Sequence, residues 1–224
     1  MTGGRLDWAP LAGYAPPASI AGLSVRLTRL APDHAPDLWA SLRGHDAAWD
    51  WLADGPFHDP DAFAAWVARR AASEDPAFYG IHDGATWTGV ASLMRIDRTH
   101  GVIEIGNILF SPALQRTRAA TEAILRLADH AFAAGFRRLE WKCNALNLPS
   151  RRAARRYGFT EEGTFRNHMV VKGRNRDTTW FSILDGEWPP LRGAVERWLD
   201  PSNFDAAGRQ RVALSTLTAA ARTG

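Results

Sequence analysis

A phosphate-binding segment is predicted where a strand, a loop and a helix follow one another over residues 104–122, which read EIGNILFSPALQRTRAATE. The first part is apolar and strand-like, a proline marks a turn, and an alanine-rich helix is expected from Ala119. The first N–H groups of a helix have no partner inside the helix, and the helix dipole adds partial positive charge there. We therefore expect this loop and helix start to bind an anionic group such as a phosphate.

Four candidate proton acceptors lie on or beside the strands around this segment: Glu104, Glu140, His168 and Asp177. A general base must lie close to the proton that it removes, and spacing alone selects none of the four. The single cysteine, Cys143, excludes an internal disulfide and fits a cytoplasmic location. Because spacing pairs no His or Asn with this thiol, we interpret it as structural and buried, and not as an acyl carrier.

Basic residues are concentrated in residues 137–176, where eleven Lys or Arg stand against three Glu. Since the whole chain carries a formal net charge of only +3, the remainder is net negative. A local basic surface favours a specific polyanionic ligand over a general nucleic-acid coat, so a nucleic-acid partner is not expected, although RNA remains an alternative.

Several function classes are excluded because their motifs are missing from the sequence. It contains no GxxxxGK[ST], GxSxG, HExxH, paired CxxC or GxGxxG. The hydrophobic share of 46% and the charged share of 23% are those of a globular protein. No apolar run approaches the roughly 20 residues that cross a bilayer, so no membrane association is expected.

The elements predict an α/β (α+β) domain of one core, because 224 residues suit one full-sized domain. We expect an N-terminal arm over residues 1–21, a core domain over 22–188 and a C-terminal extension over 189–224 that packs on the core. Asp59 followed by Pro60 predicts a helix start, and Asp83-Gly84 predicts a hairpin turn. Strands are predicted over residues 24–30, 78–82, 86–95, 102–110, 138–142, 168–171 and 178–184, and helices over 34–42, 60–73, 119–134 and the stretch capped by Ser150. Two further stretches, 191–199 and 209–221, are weakly amphipathic.

Three motifs, in the right order and spacing, resemble one family. EIG at residues 104–106 with QRTRAATEA at 115–123 is similar to EIGY…QGKGYATEA. NLPSRRAARRYGFTEEGTFR at 147–166 is similar to NxxS…LGFxxEGxxR, and GRNRDTTWFSILDGEW at 173–188 to G…D…YxLLxxEW. The chain thus resembles the GNAT superfamily of acyl-CoA-dependent N-acyltransferases, in the branch typified by the ribosomal-protein-alanine N-acetyltransferases.

The resemblance implies a mixed, mostly antiparallel central sheet, flanked by helices and splayed between two neighbouring strands, here residues 102–110 and 138–142. The pantetheine arm of acetyl-CoA, or of another acyl-CoA, would lie in this gap, and no metal would be needed. The alternative is that the first strand is simply a core strand and that the loop arginines are solvated. The implied main-chain contacts are Ile108, Leu109 and Phe110 for the arm, and Gln115, Arg116, Thr117, Arg118, Ala119, Ala120 and Thr121 for the pyrophosphate.

The same resemblance assigns roles to side chains beyond that loop. Asn147 and Ser150 would contact pantetheine, and Ser150 would help protonate the departing thiolate; they are equally suited to a turn and a helix cap. Arg151 and Arg155 would reach the 3′-phosphate of the nucleotide or remain solvated. Glu104 matches a strand carboxylate that faces the acceptor amine, and it is our first choice for the base.

The sequence departs from the family pattern at two glycines of the phosphate loop, which are Arg116 and Arg118 here. Glycine lets a backbone approach phosphate without interference from Cβ. Arginine side chains offer charge-assisted bonds to phosphate instead. We keep the cofactor assignment with a more open loop.

The function that follows is transfer of an acyl group from acyl-CoA to a primary amine by direct attack in a ternary complex. The alternative is a catalytically silent module of the same fold that binds acyl-CoA or RNA. The acceptor is open, a small molecule or a protein N-terminus, and the chain would act alone or as a homodimer. Four rings in the helical segment over the acceptor site suggest a bulky or aromatic acceptor: Trp39, Trp49, Trp51 and Trp66.

Overall fold

The computed structural model describes residue 4 and residues 6–223, so the first residues of the expected arm lie outside the described part. One eight-stranded sheet, ordered β1-β2-β3-β4-β5-β6-β8-β7, crosses the molecule. All neighbouring strands are antiparallel except β5 and β6. The strands are β1 (Ser19–Ala21), β2 (Arg26–Arg29), β3 (Ala77–His82), β4 (Trp87–Asp97), β5 (Val102–Phe110), β6 (Arg138–Asn144), β7 (Thr160–Val171) and β8 (Arg174–Leu184).

Six α-helices are present in the described residues, and local capping explains where several begin. Asp59 caps the second helix by accepting a hydrogen bond from the Ala62 N–H at 2.9 Å, with Pro60 at the first position, as predicted. No helix of the described chain is long and apolar enough to cross a membrane. The helices are α1 (Ala35–Leu42), α2 (Pro60–Ala71), α3 (Arg118–Ala133), α4 (Leu148–Arg156), α5 (Trp188–Leu199) and α6 (Leu214–Thr223).

Helices cover both faces of the sheet. Successive strand residues point to opposite sides, so neighbouring residues on a strand belong to different hydrophobic clusters. Tyr79 on β3 belongs to the larger core cluster, which includes residues of α3, α4 and α5. Its neighbour Phe78 belongs to a second cluster with residues of α1 and α2. The molecule is therefore a three-layer arrangement, with α1 and α2 on one face and α3–α6 on the other.

The predicted splay lies between β5 and β6. Their parallel pairing covers only Val102–Glu104 against Arg138–Glu140, and both strands continue past this point unpaired with each other. On the other side of β5 the register with β4 shifts between Val90 and Ser92, and Asn107 takes a positive φ of 50°. A bulge of this kind bends a strand locally. The sheet thus opens a gap beyond Glu104.

The C-terminal extension lies along α3. Trp188 stacks on Phe132 near the end of α3 at 5.1 Å between ring centroids, and Arg118 at the start of α3 donates a hydrogen bond to the Leu199 carbonyl at 2.6 Å. Helices α3 and α5 are therefore antiparallel. Helix α6 contacts α4, where Thr218 Oγ1 donates to the Arg156 carbonyl at 3.2 Å.

Candidate active site

Glu104 occupies the vertex of the gap, at the last position where β5 and β6 are paired. Its side chain is almost fully buried, with Lys142 Nζ 3.1 Å and Arg95 Nε 3.4 Å from Oε2. Burial raises the pKa of this carboxyl, because desolvation outweighs the attraction of the two cations. Oε2 has no well-aligned hydrogen bond from any described residue. A buried carboxylate of raised pKa at a strand opening is suited to take a proton.

A cavity of about 330 Å³ lies beside this carboxylate on the α1–α2 face of the sheet. Two of its lining residues, Arg95 and Glu140, also adjoin Glu104. Such a volume accommodates a small molecule. The full lining is Arg95, Arg138, Glu140, Glu162, Gly163, Phe165 and Trp180.

The other three candidate bases are held in structural contacts. Glu140 accepts a hydrogen bond from Arg138 Nε at 2.8 Å. His168 Nδ1 is 3.0 Å from Thr178 Oγ1, and Asp177 accepts the Asn167 N–H at 2.8 Å in the β7–β8 hairpin. Glu140 is nevertheless the one of the three that shares the cavity with Glu104.

The end of β5 presents the main chain of Ile108, Leu109 and Phe110 to the gap. Leu109 and Phe110 pair with Val90 and Gly89 of β4, which leaves the opposite edge of β5 unpaired with β6. Leu109 is buried in the core, as the core-strand alternative expects, and its main chain at the free edge remains a candidate for the pantetheine contact. The Phe110 carbonyl already accepts a hydrogen bond from Gln115 Nε2 at 3.0 Å.

The phosphate loop ends in a capped helix start, one residue earlier than predicted. Thr117 caps α3 by accepting the Ala120 N–H at 3.1 Å, and the Thr121 N–H bonds to the Thr117 carbonyl. Within the described chain, three N–H groups of the predicted cradle have no partner and are free for an anion: those of Arg116, Arg118 and Ala119. The main chain thus offers three free donors at the position where the sequence predicts an anion site.

The Arg118 side chain is occupied by contacts with the C-terminal segment. Its guanidinium donates to the Leu199 carbonyl and lies over the Phe204 ring, 4.4 Å from the centroid. Charge compensation for the missing glycine therefore does not come from this side chain in the structure. Arg116 is exposed and keeps a glycine-like positive φ of 64°.

Helix α4 begins at Leu148, and its cap is Asn147, not Ser150 as predicted. Asn147 Oδ1 accepts the Ser150 N–H at 3.0 Å. This leaves the Ser150 hydroxyl free for another contact, and it accepts a hydrogen bond from Trp141 Nε1 at 3.0 Å. Cys143 is buried and its pKa is raised by burial, which fits a structural thiol.

Arg151 and Arg155 are paired with a carboxylate instead of projecting freely. Arg151 Nη2 lies 3.1 Å from Glu161 Oε1, and Arg155 contacts the other oxygen of the same carboxylate. Glu161 is on β7, so this pair of arginines ties α4 to the sheet. A nucleotide phosphate would have to compete with Glu161 for them.

The tryptophans behind the aromatic-acceptor hypothesis are largely core residues. Trp49 and Trp66 are buried and pack edge to face at 5.2 Å between centroids. Trp39 is half-buried against Phe63, and only Trp51 of the four is exposed. The rings that line the cavity are instead Phe165 on β7 and Trp180 on β8. The acceptor position predicted from the sequence, beside the helical segment, did not include these two residues.

Sequence reasoning also missed the cations around Glu104. Alternation in the predicted strand RLEWK places Glu140 and Lys142 on one face, and this was the available signal for Lys142. Arg95 reaches Glu104 because the register between β4 and β5 shifts at a bulge, and the sequence gives no sign of this bulge. Arg95 itself has a positive φ of 51°.

A splayed sheet with a buried carboxylate at its vertex and a free helix N-terminus beside it is the architecture of an acyl-CoA-dependent acyltransferase. The family model described as an acetyltransferase (GNAT) domain matches residues 24–160. The chain belongs to the GNAT acetyltransferase family. The resemblance seen in the sequence is thereby confirmed, together with the mixed α/β fold.

Solved structures support the same assignment. A GCN5-related N-acetyltransferase from Brucella melitensis is 43% identical, with 95% of this chain and 99% of that chain covered and a TM-score of 0.91. A probable acetyltransferase of the GNAT family from Chromobacterium violaceum ATCC 12472 is 46% identical, with 84% and 96% covered and a TM-score of 0.77. No match to a curated protein was found.

Two more distant structures share the fold. The ribosomal L7/L12 α-N-protein acetyltransferase RimL is 22% identical over 74% of this chain and 93% of that chain, with a TM-score of 0.65. The microcin C7 self-immunity acetyltransferase MccE, solved with acetyl-CoA and AMP, is 21% identical over 76% and 98%, with a TM-score of 0.67.

Proposed function

We propose that this protein transfers an acetyl group from acetyl-CoA to a primary amine by direct attack in a ternary complex. The observation that carries the proposal is the gap between β5 and β6, with buried Glu104 at its vertex and three free N–H groups at the start of α3 beside its open end. Pantetheine then pairs with the free edge of β5, and the pyrophosphate is bound by the N–H groups of Arg116, Arg118 and Ala119.

The chemistry follows from these positions. Glu104 accepts a proton from the acceptor ammonium, and the nitrogen lone pair attacks the carbonyl carbon of the thioester. Main-chain N–H groups at the end of β5 stabilise the oxyanion. The attacking nitrogen then loses its second proton to solvent, the C–S bond breaks to give the amide product, and the sulfur leaves as a thiolate, which must gain a proton.

Ser150 is the proposed donor of that proton. Its Oγ accepts the Trp141 indole N–H, and its hydroxyl also contacts the Cys143 thiol, so its hydrogen has to turn from Cys143 to the departing sulfur. A serine hydroxyl is a weak acid, and it therefore acts as a hydrogen-bond relay that recovers its proton from solvent. Attack and departure thus use groups on opposite sides of the gap, and no covalent enzyme intermediate is formed.

The test combines binding and turnover in one preparation. Acetyl-CoA binding is measured by calorimetry, and thiol release is followed over a panel of amines with wild type, Glu104→Gln and Glu140→Gln. We expect Glu104→Gln to lower kcat by about 10²- to 10⁴-fold with the acetyl-CoA Kd unchanged, and Glu140→Gln to have the smaller effect.

The remaining outcomes separate the alternatives. Binding of acetyl-CoA without thiol release for any amine would favour the silent module. A larger loss for Glu140→Gln would move the base to Glu140. No binding of any acyl-CoA would overturn the proposal.

A further inference from the structure

Arg176 faces the gap from β8. In the pairing of β8 with β6, Thr178 is opposite Asn144 and Trp180 is opposite Lys142. Strand alternation places Arg176 on the same face as these two β8 residues, which is the face of Glu104 and Lys142. Its side chain therefore approaches the open end of the gap on the acceptor side.

The guanidinium of Arg176 is half-buried and has no carboxylate of the described residues in direct contact, although Glu104 attracts it from a longer distance. Its Nε is fully buried with no hydrogen-bond partner, and no carboxylate of the described residues lies within 4.0 Å. The two arginines that line the cavity are paired, Arg95 with Glu104 and Arg138 with Glu140 and Glu162. A half-buried charge without a partner is costly. An anion from a ligand would remove that cost.

Trp180 supplies a second unused donor on the same strand. Its Nε1 is buried with no partner among the described residues, and its ring lines the cavity beside Glu104. The ring also lies under Arg95 at 5.4 Å and Lys142 at 5.3 Å. This wall of the cleft therefore offers N–H donors and positive charge in excess of acceptors.

The cleft has room for a small acceptor beside Glu104. The cavity measures about 330 Å³. Lys172, at the tip of the β7–β8 hairpin, donates to the Trp49 carbonyl at 3.0 Å. This contact joins the hairpin to the helical layer that covers the Glu104 face, and it restricts the room for a chain extending through the cleft.

We propose that the acceptor is a small amine that also carries an acidic group, a carboxylate or a phosphate. Arg176 binds this group at the open end of the gap, while Glu104 receives the amine; Trp180 lies on β8 between the positions of these two and supplies its N–H to the polar part of the acceptor. Charge-assisted hydrogen bonds from a guanidinium are the strong kind for oxyanions. This inference rests on the proposed acetyl transfer.

Matched amine pairs test the inference in wild-type protein with saturating acetyl-CoA. Glycine, β-alanine and γ-aminobutyrate are each compared with the corresponding carboxamide, and phosphoethanolamine with ethanolamine, by CoA release. We expect the acidic member to have a KM lower by about 10- to 100-fold, as one charged hydrogen bond predicts. The preferred member distinguishes carboxylate from phosphate and gives the separation of the two groups.

Variants then assign the effect to Arg176. Arg176→Gln should raise KM for the acidic amine and leave the acetyl-CoA Kd unchanged, and Arg176→Lys should restore part of the affinity. Arg174→Gln, which removes an exposed arginine of the same strand, is the matched control. Thermal unfolding of each variant shows whether it is folded. If a variant does not fold, the comparison of acidic and neutral amines in wild-type protein still tests the inference.

The inference would be overturned by equal use of acidic and neutral amines by wild type, by an Arg176→Gln effect on acetyl-CoA binding instead of on the acceptor, or by acetylation of a peptide N-terminus and of no small acidic amine. A protein that does not bind acetyl-CoA fails earlier, at the proposed function. If acetyl-CoA binds and neither member of any pair is acetylated, the acceptor inference is also wrong.

Discussion

Glu104 illustrates how one residue is adjusted for its task by opposing effects. Burial favours the neutral carboxylic acid, and Lys142 and Arg95 favour the carboxylate. Burial wins, so the pKa lies above the ordinary value of glutamate. Activity that depends on ionised Glu104 should therefore rise with pH through a range above that ordinary value.

The Lys142→Met variant tests this balance. Removing the cation 3.1 Å from Glu104 removes a term that lowers its pKa, so the pKa rises further. We expect the acid limb of the kcat/KM profile to move to higher pH, as measured by CoA release between pH 5 and 9. The control Arg152→Met removes one positive charge from the exposed side of α4 and should leave the limb in place. A limb that moves equally in both variants would contradict a local effect.

Arg116 carries a conformational cost that glycine would relieve. A positive φ costs an L-residue about 1–2 kcal/mol, while glycine loses about 0.5–1 kcal/mol through its freer unfolded chain. We expect Arg116→Gly to raise the free energy of unfolding by up to about 1 kcal/mol in urea titrations. Arg116→Ala, which removes the charge and keeps Cβ, should give no such gain. Equal effects of the two substitutions would assign the change to charge.

At the scale of elements, α4 and β7 are joined by one carboxylate shared between two arginines. Glu161 occupies Arg151 and Arg155, which the family resemblance directs to the 3′-phosphate. Glu161→Gln should release them and tighten the binding of CoA by about 3- to 10-fold. Calorimetry with dephospho-CoA is the control, since it lacks the 3′-phosphate and should bind unchanged. Equal tightening of both ligands would show that the arginines do not select this phosphate.

The elements that the sequence predicts well are those with local signals. The bounds of β5 agree with the prediction, and α2 begins where Asp59 and Pro60 place it. The predicted cap of helix α4 was wrong, because Asn147 and Ser150 are both suitable cap residues and the choice between them depends on backbone geometry. The first two thirds of β7 were missed, since most of this edge strand is exposed on both sides and shows no alternation.

The site follows the same division. Main-chain features of the gap and of the α3 start were predictable from the motifs, because they depend on the chain's path. Side-chain partners depend on long-range packing. The contact of Arg118 with Leu199, and the lack of a hydrogen-bond partner for Arg176 Nε among the described residues, were therefore not predictable. Strand β1 was likewise hidden in the expected arm, because its three residues gain their structure only by pairing with β2.

At the scale of the molecule, the C-terminal extension contacts both the start of α3 and the end of α4. Arg156 donates to Thr121 Oγ1 at 3.1 Å and lies over the Trp198 ring at 4.9 Å. Arg118 makes the corresponding contacts with Leu199 and Phe204. The extension therefore holds two guanidinium groups beside the helix start that we assign to the pyrophosphate.

Arg156→Met tests whether the extension supports cofactor binding through this junction. Loss of the hydrogen bond and of the cation–π contact should lower the free energy of unfolding by about 1–3 kcal/mol. Because Thr121 lies in the first turn of α3, the acetyl-CoA Kd should rise in the same variant. Arg152→Met on the exposed side of α4 should change neither quantity. A loss of stability with an unchanged Kd would mean that the extension stabilises the fold without shaping the cofactor site, since the helix start would then keep its geometry when the junction is weakened.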